Sequence, residues 1–328
     1  MMTPETDSHA ADLDLLAVMA VMAVMVVMVV MAVMCCYAHL QSTFSSLRLV
    51  FRRANVNFAG EKSLNAMKLK DVADALERFA PLPLQESYDN AGLQIGLTET
   101  EDVSGVLLCL DVTESVLDEA VRKGCNLVVA HHPLLFRPLR RVTRETLVER
   151  CVVKAVKENV AVYAAHTNLD NAPGGVSFVM AERLGLRDVA FLEPQPGGVG
   201  GSGVTGVLPE SMSKADFLRL VANTFGVKAL RHNDAPVETV RKVALCGGSG
   251  DFLIGKARRQ GADAYLTGEI GYHRFFGDEP SLLLAELGHF ESEQFTIDLL
   301  HRILRDAFPT LKIEKTEQAT NPIQVYNS

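Results

Sequence analysis

From residue 67 onward the chain alternates between two spacings of its apolar positions. Leu69, Val72, Leu76 and Phe79 recur every three or four residues, the mark of a helix with one buried face. Residues 103–110 form an apolar run of strand length, and 113–123 returns to helical spacing behind a capping Thr113. Further strands are predicted over 127–130 and 160–165, and helices over 145–158 and 175–184, the last stopped by Gly185. Strand and helix taken in turn predict an α/β fold: a mostly parallel sheet with helices on its faces.

Residues 194–203, Pro-Gln-Pro-Gly-Gly-Val-Gly-Gly-Ser-Gly, break this rhythm. Their composition predicts no regular structure and a seam between two domains, 67–195 and 196–328. The Gly-Gly-Val-Gly-Gly core lacks both the preceding strand and the Gly-Lys-Ser/Thr ending of a phosphate loop, so a flexible linker or lid is expected. Beyond it, Ser213 caps a helix that runs to Gly226, and 243–246 is a strand opening into Gly247-Gly248-Ser249-Gly250 and a helix through Arg259. Strands at 264–267 and 282–286 and a long helix over 291–307 complete a second α/β unit.

The first 66 residues follow neither spacing. Residues 15–38 carry no charge, and Met recurs at every third position from Met19 to Met34, a period that neither helix nor strand packing uses. Residues 37–60 hold arginines and serines but no acid. Residues 1–66 are therefore expected to be a low-complexity extension outside the folded unit, read as a targeting segment, a membrane anchor or a misassigned start.

Composition narrows the function classes. A chain of 328 residues with 22% charged and 48% apolar residues suits about two globular domains, and a net charge of -8 argues against a general nucleic-acid binder. Cys109, Cys125, Cys151 and Cys246 stand singly in apolar runs, and Cys35 and Cys36 are neighbours, so no CxxC pair exists. Reduced thiols in a cytoplasmic protein are expected, unless residues 1–66 direct the chain to an organelle or a membrane.

Three groups of nitrogen and oxygen donors lie at or near predicted strand ends. His131 and His132 close the run Leu127-Val128-Val129-Ala130 and are followed by Pro133; buried strands of α/β sheets present their binding groups at the carboxyl end. Adjacent side chains diverge, so one strand end can serve two ions. Asp170 follows the 160–165 strand, with His166 either a ligand or a partner that orients it. His289 and Glu293, four apart, share one face if a helix begins at His289, and a carboxylate has two oxygens with which to bridge a pair of cations. Glu291 lies at the wrong angle to join them. An exposed turn histidine, an Asx-turn aspartate and a helix cap would each explain one group alone; together the three suit a metal site.

The same residues carry a family resemblance. Tyr88-Asp89-Asn90-Ala91-Gly92-Leu93-Gln94-Ile95-Gly96, Leu110-Asp111-Val112-Thr113, His131-His132-Pro133-Leu134, His166-Thr167-Asn168-Leu169-Asp170, Leu266-Thr267-Gly268-Glu269 and Gly288-His289 with Glu293 resemble the Nif-three-like family of GTP cyclohydrolase 1 type 2 homologues. The resemblance covers nearly all of 67–328, in the compact form without an inserted middle domain. It implies two α/β domains, a dinuclear metal site in the cleft between them, and a toroidal homohexamer. The metal ligands it implies are His131, His132, Asp170, His289 and Glu293, with Glu293 as the bridge.

A pair of divalent ions, zinc, manganese or iron by donor type, would activate water for hydrolysis of a small phosphorylated or nucleotide-like compound. His166, Glu269 and His273 are the candidate proton carriers. The alternative is a metal-binding scaffold that acts through protein contacts without turnover.

Overall fold

The structure is a computed structural model that describes residues 67–276 and 281–326. The expectations for residues 1–66, membrane anchor included, lie outside the described residues. No helix among the described residues is long and apolar enough to cross a membrane.

Two sheets organise the described chain. In the first, β1 (Gly92–Ile95), β2 (Val106–Cys109), β3 (Leu127–Ala130), β4 (Ala161–Ala164) and β11 (Ile313–Lys315) lie in the order β1-β4-β3-β2-β11. All neighbours pair in parallel except β1, which runs antiparallel to β4. Alternate residues of its central strands face opposite layers. Val106, Leu108, Leu127 and Val129 point to one core, while Leu107, Cys109, Val128 and Ala130 point to another, which is why these strands read as unbroken apolar runs.

The helices that cover this sheet start where the sequence signals them. Thr113 caps α2 (Glu114–Arg122) by accepting from the Val116 amide, and Thr146 caps α3 (Leu147–Lys157) by accepting from Glu149. On the opposite face lie α1 (Leu69–Phe79), burying Val72 and Leu76, and α9 (Thr296–Ala307), burying Leu299, Leu300 and Leu304. Between the sheets in sequence come α4 (Thr167–Asp170) and α5 (Val176–Arg183).

The second sheet has the order β5-β6-β8-β9-β10-β7, built from β5 (Arg187–Pro194), β6 (Gly201–Ser213), β7 (Arg231–His232), β8 (Thr239–Cys246), β9 (Ala264–Thr267) and β10 (Leu283–Glu286). Only β8, β9 and β10 are mutually parallel; β5, β6 and β7 pair antiparallel, so this sheet is mixed. Helices α6 (Lys214–Phe225), capped by Ser213 and ended by a left-handed Gly226, and α7 (Ile254–Arg259) pack against it.

Two expectations need correction. Residues 194–203 are no unstructured seam, because Pro194 pairs with Gly201 across a tight hairpin that joins β5 to β6. The glycines serve this turn: a Cβ on Gly201 would come within 2.6 Å of the Glu193 carbonyl. Strand β5, on the amino side of that stretch, thus lies in the second sheet, while β11 near the far end of the chain lies in the first. The long helix expected over 291–307 is two helices, α8 (His289–Glu293) and α9, broken at Gln294 and Phe295. The four cysteines Cys109, Cys125, Cys151 and Cys246 are free and buried.

Candidate metal centre

Both sheets turn strand carboxyl ends toward one place. The first sheet's hydrogen bonding runs past the end of β3, with the amides of His131 and His132 donating to the carbonyls of Cys109 and Leu110 at 3.2 and 2.9 Å. His131 is fully buried, and its Nδ1 donates to the Ala165 carbonyl at 2.7 Å, which leaves the Nε2 lone pair directed into the site. The Nδ1 of His132 donates to Asp111 at 2.7 Å and fixes that ring in the same way.

From the second sheet, β10 ends at Glu286 and the chain passes through Gly288, at φ 100°, into α8. The four-residue spacing sets His289 and Glu293 side by side, with Nε2 of His289 3.1 Å from Oε2 of Glu293. Glu293 is buried, and its two oxygens divide the donors. Oε2 meets His132 Nε2 at 2.9 Å as well as His289, while Oε1 lies 3.6 Å from His131 Nε2. Asp170, at the end of α4, brings Oδ1 to 3.7 Å from that same nitrogen.

The two separations from His131 are too long for hydrogen bonds. The buried Nε2 of His131 and Oδ1 of Asp170 have no hydrogen-bond partner, although an unsatisfied buried polar atom is costly. His132 and His289 point Nε2 at Nε2 across 3.2 Å. Two ligands each about 2.1 Å from one ion at tetrahedral angles stand about 3.4 Å apart, close to what these pairs show. His131, His132 and Glu293 form a cluster whose donor atoms all lie within 4.8 Å of one another.

The electrostatics tell the same story. Burial opposes a charged His132, yet its bonds to Asp111 and Glu293 prevail and lift its pKa to about 10. His289 is lifted to about 9, first by its bond to Glu293. Complete burial works against a charged Glu293, but the three imidazoles around it hold its carboxyl well below the usual carboxylate range. Asp170 goes the other way, because burial raises it more than the nearby imidazoles lower it. At these atoms a proton and a cation would compete for the same lone pairs.

A family model for Duf34/NIF3 (NGG1p interacting factor 3) matches residues 67–322. The chain belongs to this family. Among its NIF3 relatives, a GTP cyclohydrolase 1 type 2 homolog of Clostridium perfringens (strain 13 / Type A) is 36% identical over 230 residues, 69% of this chain and 87% of that protein. Another GTP cyclohydrolase 1 type 2 homolog, from Lactococcus lactis subsp. lactis (strain IL1403), is 34% identical over 262 residues, 78% of this chain and 98% of that one. The crystal structure of a Bacillus cereus protein related to NIF3 matches with a TM-score of 0.73 at 25% identity, covering 80% of this chain and 100% of the other.

The expected proton carriers of this NIF3 chain fall in three different surroundings. His166 lines the cavity of about 260 Å³ onto which Asp170, His289 and Glu293 open, and its Nδ1 bonds Asp89 at 2.7 Å. Glu269 accepts from Nδ1 of His289 at 3.1 Å and so orients that ring, and it is not among the residues that line the cavity. His273 stands apart. It sits on the exposed 3-10 turn Tyr272–Phe275 with its ring against Tyr272 and Phe276, and it is not among the residues that line this cavity.

Several supports carry only a faint sequence signal. Asp111 stands two residues before the helix cap Thr113, and it holds His132. Asp89 takes His166 on one oxygen and both the amide and hydroxyl of Thr167 on the other; although burial opposes it, these bonds hold its carboxyl down at about 2. Gly248, at φ 59°, lies so close that a Cβ there would meet Oε1 of Glu293 at 2.3 Å. Its amide donates to the Ser292 hydroxyl at 3.0 Å, which ties the loop after β8 to α8.

Proposed function

We propose that this NIF3-family chain is a metal-dependent hydrolase of a small phosphorylated or nucleotide-like compound, with two divalent ions held between the sheets. The division of the Glu293 carboxylate carries the reading: Oε1 faces His131, whose Nε2 also lies 3.7 Å from Asp170, and Oε2 faces His132 and His289. His131, Asp170 and Glu293 would hold one ion, and His132, His289 and Glu293 the other. Nitrogen and oxygen donors without thiolate favour zinc, manganese or iron. When bound, such ions lower the pKa of coordinated water and neutralise charge that develops on the substrate.

The chain's own residues prepare the reaction. Ala165 and Asp111 fix the ring orientations of His131 and His132, and Glu269 does so for His289. His166, which lines the cavity and is held by Asp89, would move a proton to the leaving group. Tyr88, Phe136 and Phe252 give the same cavity apolar surface for the rest of the substrate.

Metal-loaded full chain, offered a panel of nucleotides and phosphoesters, is expected to turn over at least one of them, and Glu293→Ala to abolish that turnover with the fold retained. The second reading, a scaffold, is favoured by the family's description as an NGG1p interacting factor. No turnover at any metal loading, with partner binding that survives chelation, would establish it in place of the hydrolase. A ring of six chains belongs to the same proposal on the strength of the family resemblance, and sedimentation at six times the chain mass tests it. Four free buried thiols support a reducing, cytoplasmic location.

A further inference from the structure

Three aromatic side chains line the cavity onto which Asp170, His289 and Glu293 open, and each stands in solvent: Tyr88 is 65% exposed, Phe252 59% and Phe136 41%. Apolar surface gathered at one place and left uncovered marks a binding site. The backbones behind these rings are fixed. Asn90 donates from Nδ2 to the Leu135 carbonyl, and the Leu135 amide donates to Oε1 of Gln94, each at 2.7 Å, which stitches the segment that carries Tyr88 to the one that carries Phe136. Phe252 sits in the 3-10 turn Asp251–Leu253, anchored by the fully buried Leu253 on one side and by the Gly250 amide, which donates to the Thr267 hydroxyl at 2.9 Å, on the other.

On the first sheet's side the rings form a continuous series that ends at the metal donors. Tyr88 meets Phe136 edge-on, with 6.4 Å between centroids and 72° between planes, and Phe136 meets His166 at 6.0 Å and 89°. His166 in turn touches the rings of His131 and His132 at 5.4 and 5.6 Å. Edge-on contacts hold rings together without stacking them, so ring faces stay uncovered. Phe252 belongs to the loop after β8 in the second sheet, and among the described residues it makes no ring contact with Tyr88 or Phe136. Rings that line one cavity without touching leave space for a flat guest.

We propose that Tyr88, Phe136 and Phe252 bind a planar aromatic ring of the substrate, so that this centre takes phosphate esters that carry such a ring in preference to phosphorylated sugars and other aliphatic phosphates. The inference rests on the hydrolase reading given above and narrows its substrate class. His166 acts as the spacer: its ring stands between Phe136 and the imidazoles of His131 and His132, so a ring held at Phe136 is one side chain away from the metal donors. Stacking on an aromatic side chain tolerates many ring types, because each has a π-face. The three residues therefore select flatness and not one particular base.

The test reads binding, so it does not depend on turnover. Saturation-transfer NMR measures the affinity of zinc-loaded full chain for adenosine monophosphate, nitrophenyl phosphate and glycerol phosphate, in the unmodified protein, Phe136→Ala, Phe252→Ala and Phe136→Tyr. The two ring compounds are expected to bind more tightly than glycerol phosphate. Each alanine variant is expected to weaken the ring compounds about 10-fold and to leave glycerol phosphate unchanged, while Phe136→Tyr binds as the unmodified chain does. Equal affinity for all three phosphates, or ring affinity unchanged in both alanine variants, overturns the ring site and leaves the hydrolase reading intact. A loss that includes glycerol phosphate in both alanine variants assigns the rings to the fold rather than to the guest and also overturns it. Adenosine, which has the ring and no phosphate, is titrated into metal-free chain to separate the two claims. If the unmodified chain takes up no zinc, manganese or iron, the hydrolase reading falls; adenosine binding that Phe136→Ala weakens then upholds the ring site, and no adenosine binding removes it.

Discussion

At the scale of single residues, Glu293 governs the site, because one buried carboxylate faces three imidazoles. Glu293→Gln keeps the shape and removes the charge; we expect the His132 and His289 pKa values to fall back toward the ordinary imidazole value near 6.5 and metal uptake to be lost, both readable by NMR titration. The raised imidazoles also fix a pH dependence. A histidine whose folded pKa exceeds its unfolded value stabilises fully below about 6.5, and that contribution is lost as pH rises through the folded pKa. With His132 at about 10 and His289 at about 9, the thermal midpoint of the metal-free chain is expected to fall between pH 6.5 and 10, while zinc affinity rises over the same interval because protons no longer compete. A flat midpoint across that range would contradict the assignment. Much of this was visible in the sequence. Two histidines before a proline at the end of an apolar run announce a site, and the His289 to Glu293 spacing places two donors together. Asp111 and Asp89 stand in the motifs that carry the family resemblance, but an acid in a turn has many uses, and only the fold shows that they meet His132 and His166.

At the scale of elements, the loop after β8 and the short helix α8 must fit each other closely. Gly248→Ala is expected to destabilise the chain by about 1–3 kcal/mol, from a side chain at positive φ and the collision with Glu293, and to weaken metal binding as well. Chemical denaturation together with metal titration measures both effects. Strands β3 and β9 were legible to the residue, since each is a short apolar run bracketed by turn signals, and the caps Thr113 and Ser213 marked their helices. The hairpin of β5 and β6 was not, because glycines that permit a tight turn look in sequence like glycines that prevent structure. The break at Gln294 and Phe295 also left no trace, since neither residue is a helix breaker; Phe295 packs in both principal cores, and burial there sets where the helix is interrupted.

At the scale of the whole molecule, the ligands come from elements that follow both sheets, so bound metal would couple them. Chelation is expected to lower the thermal midpoint in calorimetry, and restoring metal to 100 times its dissociation constant to return about 2.7 kcal/mol of stability. No change on chelation would mean the ions, if bound, do not bridge the sheets. The three residues of β11 have a consequence of another kind. They complete an edge whose other strands all precede residue 165, and α9, which covers the same sheet, comes almost as late. During synthesis on the ribosome the flank of β2 therefore stays unpaired until every strand of the second sheet has emerged.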